Sequence, residues 1–384
     1  MDITRFSETK TGKLVRITDP YNDWAFVPQP IDEDWSFPKS LWPKIASAYQ
    51  ALGKLDGIGQ TLPNPELLLR PLQQREALRS SSLEGTYATP EELLLFQIKQ
   101  RKPLPLNERE NAWLEVSNYR DALRDGYNYL MERPFTINTI CQLHRWLLTG
   151  VRGHNKSPGE VRDTQVCIGS DRRYVPPPAI FLGECLDSLG KNLQTGLSKI
   201  DPLIACFVLH YQFEAIHPFK DGNGRVGRVF LSLLIWKWCN LSMPWLYLSA
   251  FFERYKNEYI DSMFEISASG NWERYLRLCL DGTIVQAGDS ILRCEKLSNL
   301  RKYMKRKTAG VGARVSSIID DLYLAPMLTI PQVAKQFNVT YPTAKSDIDH
   351  LLEEGILAKL PGALRPAVFY APEIFRIAYD DDQV

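Results

Sequence analysis

The chain has 384 residues, 44% of them hydrophobic and 24% charged, which is enough for about two to three domains and too apolar for a disordered protein. Its 46 Lys and Arg against 45 Asp and Glu give a net charge of +1, which argues against a globally basic nucleic-acid-binding protein. Seven scattered cysteines without a C-x-x-C pair, and only five histidines, argue against a structural zinc site or a disulfide scaffold. The N-terminus lacks the apolar core of a signal peptide and no apolar run could span a membrane, so we expect a cytoplasmic protein.

Residues 1–60 are predicted to form an N-terminal wrapping segment followed by a helix. The first forty residues carry four prolines among aromatic residues, a composition typical of a loop-like segment that buries its rings on a domain surface. From Leu41 onward the apolar periodicity becomes helical and remains so for most of the chain. The fold class predicted is therefore mainly α.

Residue types mark several helix boundaries in residues 61–290. Residues 64–66, Asn-Pro-Glu, have the pattern of an N-cap, a first-turn proline and a first-turn acid, and Gly85 has that of a glycine just beyond a helix end. Thr89 and Glu92 are spaced as a capping box. Residues 201–202, Asp-Pro, open another helix.

One stretch interrupts the helical pattern. Residues 166–170 and 174–178 predict two short strands around a polar turn. The prolines at 176–178 confine this unit to a sheet edge or an exposed hairpin. We name residues 166–178 the flap.

The last part of the chain is predicted to be separate. Residues 291–314 form a basic linker helix, in which positions 293–314 carry a net charge of +7; a solvated connecting helix and an anion-binding patch are the two interpretations. Residues 315–384 predict three helices and a hairpin, the plan of a winged helix-turn-helix domain. Its third helix has a net charge of −3, so DNA binding by it is disfavoured though left open, and a role in protein interaction is favoured.

The segment 217–228, His-Pro-Phe-Lys-Asp-Gly-Asn-Gly-Arg-Val-Gly-Arg, carries the strongest functional pattern. Pro218 disfavours helical geometry at His217, and apolar periodicity resumes in the second half, so a glycine-rich turn separates two helices. Such a turn binds anions through free N–H groups and the helix dipole. Arg225 and Arg228 share one helix face, where their charges oppose the dipole unless a polyphosphate lies between them.

Two side chains of this segment suit the chemistry of a bound polyphosphate. Asp221 is a natural ligand for Mg²⁺ that bridges phosphate oxygens, and His217 has a pKa suited to accepting a proton. The G-x-G-x-x-G pattern at 222–227 follows a helix rather than a strand and lacks a ribose-binding acid, which argues against a dinucleotide-binding fold. No G-x-x-x-x-G-K-[ST] sequence occurs, so the chain has no P-loop motif.

Residues 217–228 match every fixed position of the signature H-x-F-x-[DE]-G-N-G-R-x-x-R, and on this basis the chain resembles the Fic family over about residues 20–285. The flap also resembles the family's target-docking hairpin, at Val166, Ile168, Tyr174 and Val175. The resemblance implies a helical catalytic domain over 61–290. It also implies transfer of AMP from ATP to a Ser, Thr or Tyr hydroxyl of a target protein or of the chain itself, with release of pyrophosphate.

The resemblance further implies the roles of individual residues. His217 is the catalytic base, Asp221 holds Mg²⁺, and Asn223 with its flanking glycine amides stabilises the α-phosphate, while Arg225 and Arg228 contact the β- and γ-phosphates. The ATP-binding residues that it implies are Glu84, Gln212, His217, Pro218, Phe219, Lys220, Asp221, Gly222, Asn223, Gly224, Arg225, Arg228, Arg254, Tyr255 and Asn257. Ordinary core packing explains the tyrosine of the adenine region equally well.

Residues 80–85 end a predicted helix with Glu84 in its last turn, where the helix dipole disfavours a carboxylate. The segment resembles the family's inhibitory motif, [ST]-x-x-x-E-[GN], at Ser80, Glu84 and Gly85. The resemblance implies that Glu84 pairs with Arg228 and displaces the γ-phosphate, which inhibits the enzyme from within its own chain. A solvated glutamate at a helix end is the alternative interpretation.

Two other functions stay open at this stage. Glu84 could instead orient a water that removes AMP from a modified target, or the chain could be a transcription regulator whose core senses nucleotide. The sequence does not identify the target protein, nor the oligomeric state, for which a homodimer is one option.

Overall fold

The computed structural model describes residues 1–7, 11–31, 35–61, 64–98, 108–151, 157–169, 171–362 and 365–380. Most of these residues lie in α-helices, and the strands form one two-stranded and one three-stranded sheet. The predicted mainly α class is therefore confirmed. Among the described residues, no helix is both long and apolar enough to cross a bilayer.

The N-terminal segment is not loop-like throughout, and that prediction was wrong. Strands β1 (Gly12–Ile17) and β2 (Asp23–Pro28) pair antiparallel, with Gly12 opposite Pro28 and Ile17 opposite Asp23. The prolines that suggested a loop lie in the connection and at the strand end, outside the ladder interior, which is where strands tolerate them. The hairpin is fixed to the flap because the Phe26 N–H donates to the Val175 carbonyl at 2.9 Å.

A helical body follows the hairpin. Its helices are α1 (Trp42–Gln60), α2 (Glu66–Leu83), α3 (Pro90–Ile98), α4 (Glu108–Leu130), α5 (Ile137–Leu148), α6 (Ala179–Thr195), α7 (Pro202–Ile216), α8 (Asn223–Trp238), α9 (Ser249–Arg254), α10 (Lys256–Ser269) and α11 (Trp272–Lys307). Short 3₁₀ turns occupy Ile3–Arg5 and Lys39–Leu41. Helices α7 and α8 pack against each other, and apolar residues cover nearly every face of both, as expected for helices at the centre of a domain.

Local signals set the helix boundaries. The capping box of Thr89 and Glu92 is confirmed: each backbone N–H donates to the other side chain at 3.1 Å, which fixes the start of α3. Asp201 caps α7 by accepting from the N–H groups of Leu203 and Ile204. The predicted cap at Asn64 was wrong, because α2 begins one residue later with Pro65 at the cap position and no side-chain cap.

Helix α2 ends as the sequence predicted. Leu83 is its last residue, Glu84 occupies the C-cap position, and Gly85 follows with a φ of +80°, a conformation that favours glycine. Two side chains beyond the helix hold this end in place. The Lys256 ammonium donates to the Leu83 carbonyl at 2.6 Å, and Glu253 accepts from Ser82. The last turn of α2 is therefore fixed by the start of α10 as well as by its own cap.

The C-terminal part begins after α11, which continues without a break across residue 290. Its elements are α12 (Ala313–Leu324), β3 (Met327–Thr329), α13 (Ile330–Gln336), α14 (Tyr341–Glu353), β4 (Ala358–Lys359), β5 (Val368–Tyr370) and α15 (Pro372–Tyr379). The three predicted helices and the β4–β5 hairpin are present, while β3, which pairs with β5, and α15 were not predicted. Helices α12 and α15 pack against α2, so the C-terminal part contacts the helix that bears the inhibitory motif.

The basic run is partly solvated and partly paired: Lys302 and Arg306 are exposed, whereas other members contact acids of the C-terminal helices. Arg301 and Lys305 both pair with Asp320 of α12 at 2.7 Å, and Arg314 pairs with Asp347 of α14 at 2.5 Å. These basic side chains thus join α11 and its neighbours to acids of the C-terminal helices, which is a long-range match that the local charge count did not reveal.

Candidate active site

A cavity of about 430 Å³ opens where the end of α2, the flap, the 217–224 loop and α10 meet. Its walls combine apolar residues with a few charged and polar groups: Leu83, Glu84, Ile168, Gly169, Arg173, Tyr174, Tyr211, Glu214, Ala215, His217, Gly224, Arg228, Lys256, Tyr259, Ile260, Met263, Phe264 and Ser267. A concave apolar site with a few convergent polar groups is the usual form of a small-molecule site. The cavity brings together His217, Glu84, Gly224 and Arg228, four of the residues that the sequence singled out.

His217 lies at the C-terminal end of α7 with a φ of +50°, a conformation uncommon for a residue with a Cβ. The following proline prevents the helix from continuing, and the chain turns here toward α8. Desolvation lowers the pKa of the imidazole to about 4. The nearby Arg162 charge also lowers this pKa, whereas the charges of Glu84 and Asp221 raise it. Nδ1 is buried and makes no hydrogen bond with the described residues. The ring is therefore neutral at physiological pH and able to accept a proton.

The 217–223 loop is held together by its own side chains. Asn223 closes it: its Oδ1 accepts from the Phe219 N–H at 2.9 Å, and its Nδ2 donates to the Phe219 carbonyl at 2.8 Å. The Asn223 amide thus fixes the loop, and its contact with a phosphate, through the second N–H of Nδ2, stays a prediction. Lys220 pairs with Asp163 at 2.7 Å, and the Pro218 carbonyl accepts from the Arg162 N–H.

A second histidine, which sequence reasoning missed, fixes the turn that carries Asp221. His144 of α5 is fully buried and stacks on Phe219 with ring centroids 3.8 Å apart. Its Nδ1 accepts from the Gly159 N–H at 2.8 Å, so its Nε2 bears the hydrogen and donates to the Asp221 carbonyl at 3.0 Å. Burial lowers the pKa of His144 to about 4, which keeps this tautomer neutral. Nothing in the local sequence around His144 indicated this contact.

The start of α8 presents backbone to the cavity. Gly222 is the N-cap with a φ of +77°, so the first N–H groups of the helix have no side-chain cap. A Cβ on Gly224 would lie 2.2 Å from Oε1 of Glu84 and 3.0 Å from the Arg228 guanidinium, so a larger residue here would displace these side chains from their present positions. Uncapped N–H groups and a positive dipole end suit an anion at this helix start, and the anion site itself stays a prediction.

Arg228 and Glu84 form an ion pair across the cavity. The Arg228 Nη2 lies 2.7 Å from Oε1 of Glu84 and donates to the Ser80 carbonyl at 3.0 Å, while Nε donates to the Ser80 hydroxyl at 2.7 Å. Arg228 is buried, whereas Glu84 keeps 40% of its side chain accessible because it faces the open cavity. Although burial acts against it, the Arg228 charge and hydrogen bond lower the pKa of Glu84. Two residues of the inhibitory motif, Ser80 and Glu84, therefore contact the second arginine of the 217–228 segment.

Arg225 has another partner. Its Nη1 lies 2.8 Å from Glu115 of α4, and both side chains are buried. Thr86 also donates to the same Glu115 oxygen, at 3.0 Å. The contact between Arg225 and the β-phosphate stays a prediction: Nη1 of the guanidinium binds Glu115 at the α4 interface, while Nη2 lies 3.8 Å from Oδ1 of Asp221. Glu115, 110 residues away in sequence, was not predicted.

Glu214, one helical turn before His217, is a further residue that sequence reasoning missed. It lines the cavity, and its Oε1 is buried without a hydrogen-bond partner among the described residues. Burial raises the pKa of this carboxyl to about 8, with Glu84 acting in the same direction and Arg228 against it. Glu214 is therefore protonated at neutral pH. Its position three residues before the motif histidine, on the same helix face, is the one signal that could have identified it.

Four residues predicted for the adenine region do not line the cavity. The amide of Gln212 accepts from Asn192 at 3.1 Å and donates to Ser188 at 3.3 Å, which directs it toward α6. Arg254, Tyr255 and Asn257 are exposed, and Arg254 lines a separate cleft with Arg75 and Arg79. Arg254, Tyr255 and Asn257 lie at the break between α9 and α10, which changes the direction of the chain at Tyr255.

After this break, α10 directs a different face to the cavity. The side chains that it contributes recur every three to four residues: Lys256, Tyr259, Ile260, Met263, Phe264 and Ser267. The face of α10 that lines the cavity therefore includes Tyr259 but not Asn257, and the adenine contacts stay a prediction.

The flap is shorter in strand content than predicted. Instead of two strands, a single bridge joins Ile168 and Tyr174, whose backbone groups exchange hydrogen bonds at 2.8 and 3.3 Å. Val175 is fully buried against Ile17 and Ala25 of the N-terminal hairpin, whereas Val166 is half-buried. Prolines at 176–178 prevent further pairing because they lack N–H donors.

The residues present are compatible with Mg²⁺ bound mainly through phosphate oxygens. The Asp221 carboxylate is 47% exposed beside the start of α8, and its Oδ1 accepts from the Gly222 N–H at 2.6 Å and lies 3.8 Å from Nη2 of Arg225. No group of three potential metal ligands occurs in the described parts of the chain. Mg²⁺ commonly binds one carboxylate together with substrate phosphates and water, so one aspartate is sufficient.

Two domain matches agree with this geometry. Residues 42–128 match the Fic/DOC family N-terminal domain, and residues 134–235 match the Fic/DOC family domain. A probable protein adenylyltransferase of Aquifex aeolicus is 32% identical over 157 residues, which are 39% of this chain and 48% of that protein. Protein adenylyltransferase fic-1 of Caenorhabditis elegans is 33% identical over 104 residues, 26% of this chain and 19% of that protein. The chain thus spans less than half the length of these relatives.

Solved structures share the fold. A Fic family protein from Desulfovibrio desulfuricans has a TM-score of 0.58 at 17% identity, covering 89% of this chain and 98% of that one. A fragment of Fic-1 from Caenorhabditis elegans has a TM-score of 0.52 at 20% identity, covering 66% of this chain and 73% of that one. The chain therefore has the Fic fold and contains the N-terminal and Fic domains of the Fic/DOC family.

Proposed function

We propose that the chain is a protein adenylyltransferase that transfers AMP from ATP to a Ser, Thr or Tyr hydroxyl of a target protein or of itself. The observation that carries the proposal is the neutral imidazole of His217 beside the uncapped start of α8, in a cavity that Arg228 also lines. A base and an anion site that share one cavity suit attack on a phosphorus atom. The relatives named protein adenylyltransferase support the same activity.

In this mechanism His217 accepts the hydroxyl proton while the hydroxyl oxygen attacks the α-phosphorus of ATP. The bond from the α-phosphorus to the bridging oxygen breaks, and pyrophosphate leaves with the electron pair. The N–H groups at the start of α8 stabilise the negative charge on the α-phosphate oxygens. Asp221 would hold Mg²⁺, which neutralises phosphate charge when bound.

We further propose that Glu84 inhibits the enzyme. Its carboxylate lies 2.7 Å from the guanidinium of Arg228 and pairs with it. Arg228 is the cation best placed to bind the end of a triphosphate. While this pair is intact, a third phosphate would meet a carboxylate instead of an arginine, so ATP binds in an unproductive pose. Ser80 strengthens the pair because it accepts from the same guanidinium.

Intact-mass spectrometry of the Glu84→Gly variant after incubation with ATP and Mg²⁺ tests both proposals. We expect a mass increase equal to one or more AMP groups, absent in the Glu84→Gly, His217→Ala double variant. An unchanged mass, together with no label transferred from α-labelled ATP to proteins of a cell extract, would contradict the proposed activity.

Removal of AMP is the second candidate, because Glu84 also faces the cavity near Gly224, where its carboxylate could orient a water. This alternative predicts that an AMP-modified protein loses its AMP only when Glu84 is intact.

The C-terminal part is proposed to be a winged helix that contacts a protein rather than DNA, since Asp347 and Asp349 of α14 lie on the helix that would enter the groove.

A further inference from the structure

Arg162, in the loop that leads into the flap, is a buried cation that the sequence did not single out. Only 3% of its surface is exposed. Its side chain donates to four backbone carbonyls: Nε to His217 at 2.8 Å, Nη1 to Thr164 at 2.9 Å, and Nη2 to Pro177 at 2.6 Å and Ile216 at 3.4 Å. No carboxylate of the described residues pairs with it.

A buried cation without an acidic partner is costly unless its donors are fully used. The planar fork of arginine meets this condition here, because five donors in fixed directions can serve several carbonyls at once. Two of these carbonyls, of Ile216 and His217, end helix α7, where the chain leaves carbonyls without intrahelical partners and the dipole favours a cation. Burial lowers the pKa of Arg162 only to about 10, so the charge persists at physiological pH.

We propose that Arg162 is a positioning residue for the general base: it fixes the backbone from which the His217 imidazole projects and joins that backbone to the chain at both ends of the flap. Thr164 lies two residues before the first arm and Pro177 lies in the second arm, and the Arg162 N–H itself donates to the Pro218 carbonyl at 2.9 Å. The base and the flap are thereby held as one unit. This inference rests on the proposed function in one respect only, the role of His217 as base.

The same contact has an electrostatic consequence. The Arg162 charge favours the neutral imidazole of His217, whereas Glu84 from α2 and Asp221 from the loop favour the charged form. Arg228 of α8 and Lys256 of α10 line the same cavity and are further cations near the ring. Loss of the Arg162 charge alone should therefore make the imidazole easier to protonate.

The test uses the full chain with ¹³C- and ¹⁵N-labelled histidine, which gives only five sets of signals. A His217→Ala spectrum assigns the signal of His217. In Arg162→Met we expect the His217 titration midpoint to rise by about one pH unit. In Arg162→Lys, which keeps the charge but has too few donors for four carbonyls, we expect the midpoint to stay and the His217 amide to exchange about tenfold faster.

Both variants should also lower kcat for AMP transfer about ten- to hundredfold in the Glu84→Gly background, with KM for ATP nearly unchanged. The matched control is Arg293→Met. Arg293 is also 3% exposed and also donates to two carbonyls, of Ile377 and Asp380, in the C-terminal part. Its loss should lower the melting temperature without moving the His217 midpoint or amide exchange.

An unchanged midpoint and amide exchange in Arg162→Met and Arg162→Lys would overturn the proposal. Equal changes at His217 in Arg293→Met would also overturn it, since the effect would then be general loosening of the fold. If Arg162→Met does not fold, Arg162→Lys decides through amide exchange. If the Glu84→Gly chain transfers no AMP, the proposed function fails, while the two NMR readouts still decide whether Arg162 positions His217.

Discussion

Oε1 of Glu84, at the end of helix α2, lies 2.7 Å from the guanidinium of Arg228 in the second turn of helix α8. The two residues are 144 positions apart, and the pair spans the cavity that His217 lines. The cation that is best placed to bind the end of a triphosphate is thus occupied by a carboxylate of the same chain. The proposed inhibition follows from this single contact.

Replacement of Glu84 by glycine should raise the rate of AMP transfer. Without the carboxylate, Arg228 is available to ATP, and we expect an increase on the order of tenfold or more, which corresponds to ~1.4 kcal/mol or more of transition-state free energy. Transfer of label from α-labelled ATP measures the rate. The matched control is Glu354→Gly, because Glu354 is also the C-cap of a helix and is also followed by glycine, but pairs with Lys307. A rate that stays at the wild-type level in Glu84→Gly argues against inhibition by this residue.

Replacement of His217 by alanine should remove transfer without preventing ATP binding. Loss of a general base lowers a rate by about 10²- to 10⁴-fold. Calorimetric titration in the Glu84→Gly background should give a similar Kd for ATP with or without His217. His350→Ala, which changes a histidine of α14, serves as the control. Transfer at full rate without His217 would rule out its role as the base.

Replacement of Asp221 by asparagine should raise the Mg²⁺ concentration required for half-maximal transfer by about tenfold, because ~1.4 kcal/mol of ligand binding is lost with the charge. The substitution keeps the shape of a side chain that is already half exposed. Asp163→Asn removes a carboxylate that pairs with Lys220 of the same loop and should leave the Mg²⁺ requirement unchanged. An identical requirement in both variants would mean that Asp221 does not hold the ion.

A bulky residue on the cavity-facing side of α10 should block the nucleotide. Met263 lines the cavity, whereas Asn257 of the same helix is exposed. We expect Met263→Trp to weaken ATP binding by about tenfold or more, ~1.4 kcal/mol, and Asn257→Trp to leave it unchanged. Titration of each variant with ATP in the Glu84→Gly background measures the difference. Weaker ATP binding in Asn257→Trp but not in Met263→Trp would place the nucleotide beside Asn257, as the sequence predicted.

The buried carboxyl of Glu214 should make stability depend on pH. Burial raises its pKa in the folded protein to about 8, above the usual 4.5, so the folded state keeps a proton that the unfolded state releases. Stability from this group is therefore lost as the pH rises from about 4.5 to about 8. Glu214→Gln carries no such proton, so its Tm relative to wild type should increase between pH 5 and pH 9, by about 2–4 °C for each ~1 kcal/mol.

Glu84→Gln is the contrasting variant for this experiment. Burial acts against ionisation of Glu84, but the Arg228 charge outweighs it and lowers the pKa. The ionised carboxylate therefore stabilises the folded state at pH values above the usual pKa of a glutamate. Stability from this group is present at neutral pH and is lost as the pH falls through the lowered pKa. Glu84→Gln should thus lose Tm relative to wild type at neutral pH and recover it in acid. The same trend in both variants would contradict these assignments.

Local sequence signals predicted the parts of the fold that neighbouring residues determine. The capping box of Thr89 and Glu92 and the break at His217 depend on residues within four positions, and both are present. The N-terminal hairpin was missed because its prolines, which lie outside the ladder interior, obscured the alternation of β1 and β2.

Contacts between distant helices could not be read from the sequence. Arg225 and Glu115 meet because α4 packs against α8, and His144 reaches Asp221 because α5 does so too. Residue spacing gives the face of one helix but not the identity of the helix that it meets. The sequence thus singled out both arginines of the 217–228 segment, but not Glu115, the partner of Arg225.

The packing of helix α2 limits how Glu84, at its C-cap position, can be released from Arg228. Fourteen of its eighteen residues are buried, and α4, α9, α12 and α15 surround it. Withdrawal of the entire helix would expose several leucines, at a cost of ~25 cal/mol per Å² of apolar surface. This free energy exceeds the contribution of one ion pair. For the proposed inhibition we therefore expect a local release, by a new rotamer of Glu84 or the unwinding of one turn, rather than a movement of the whole helix.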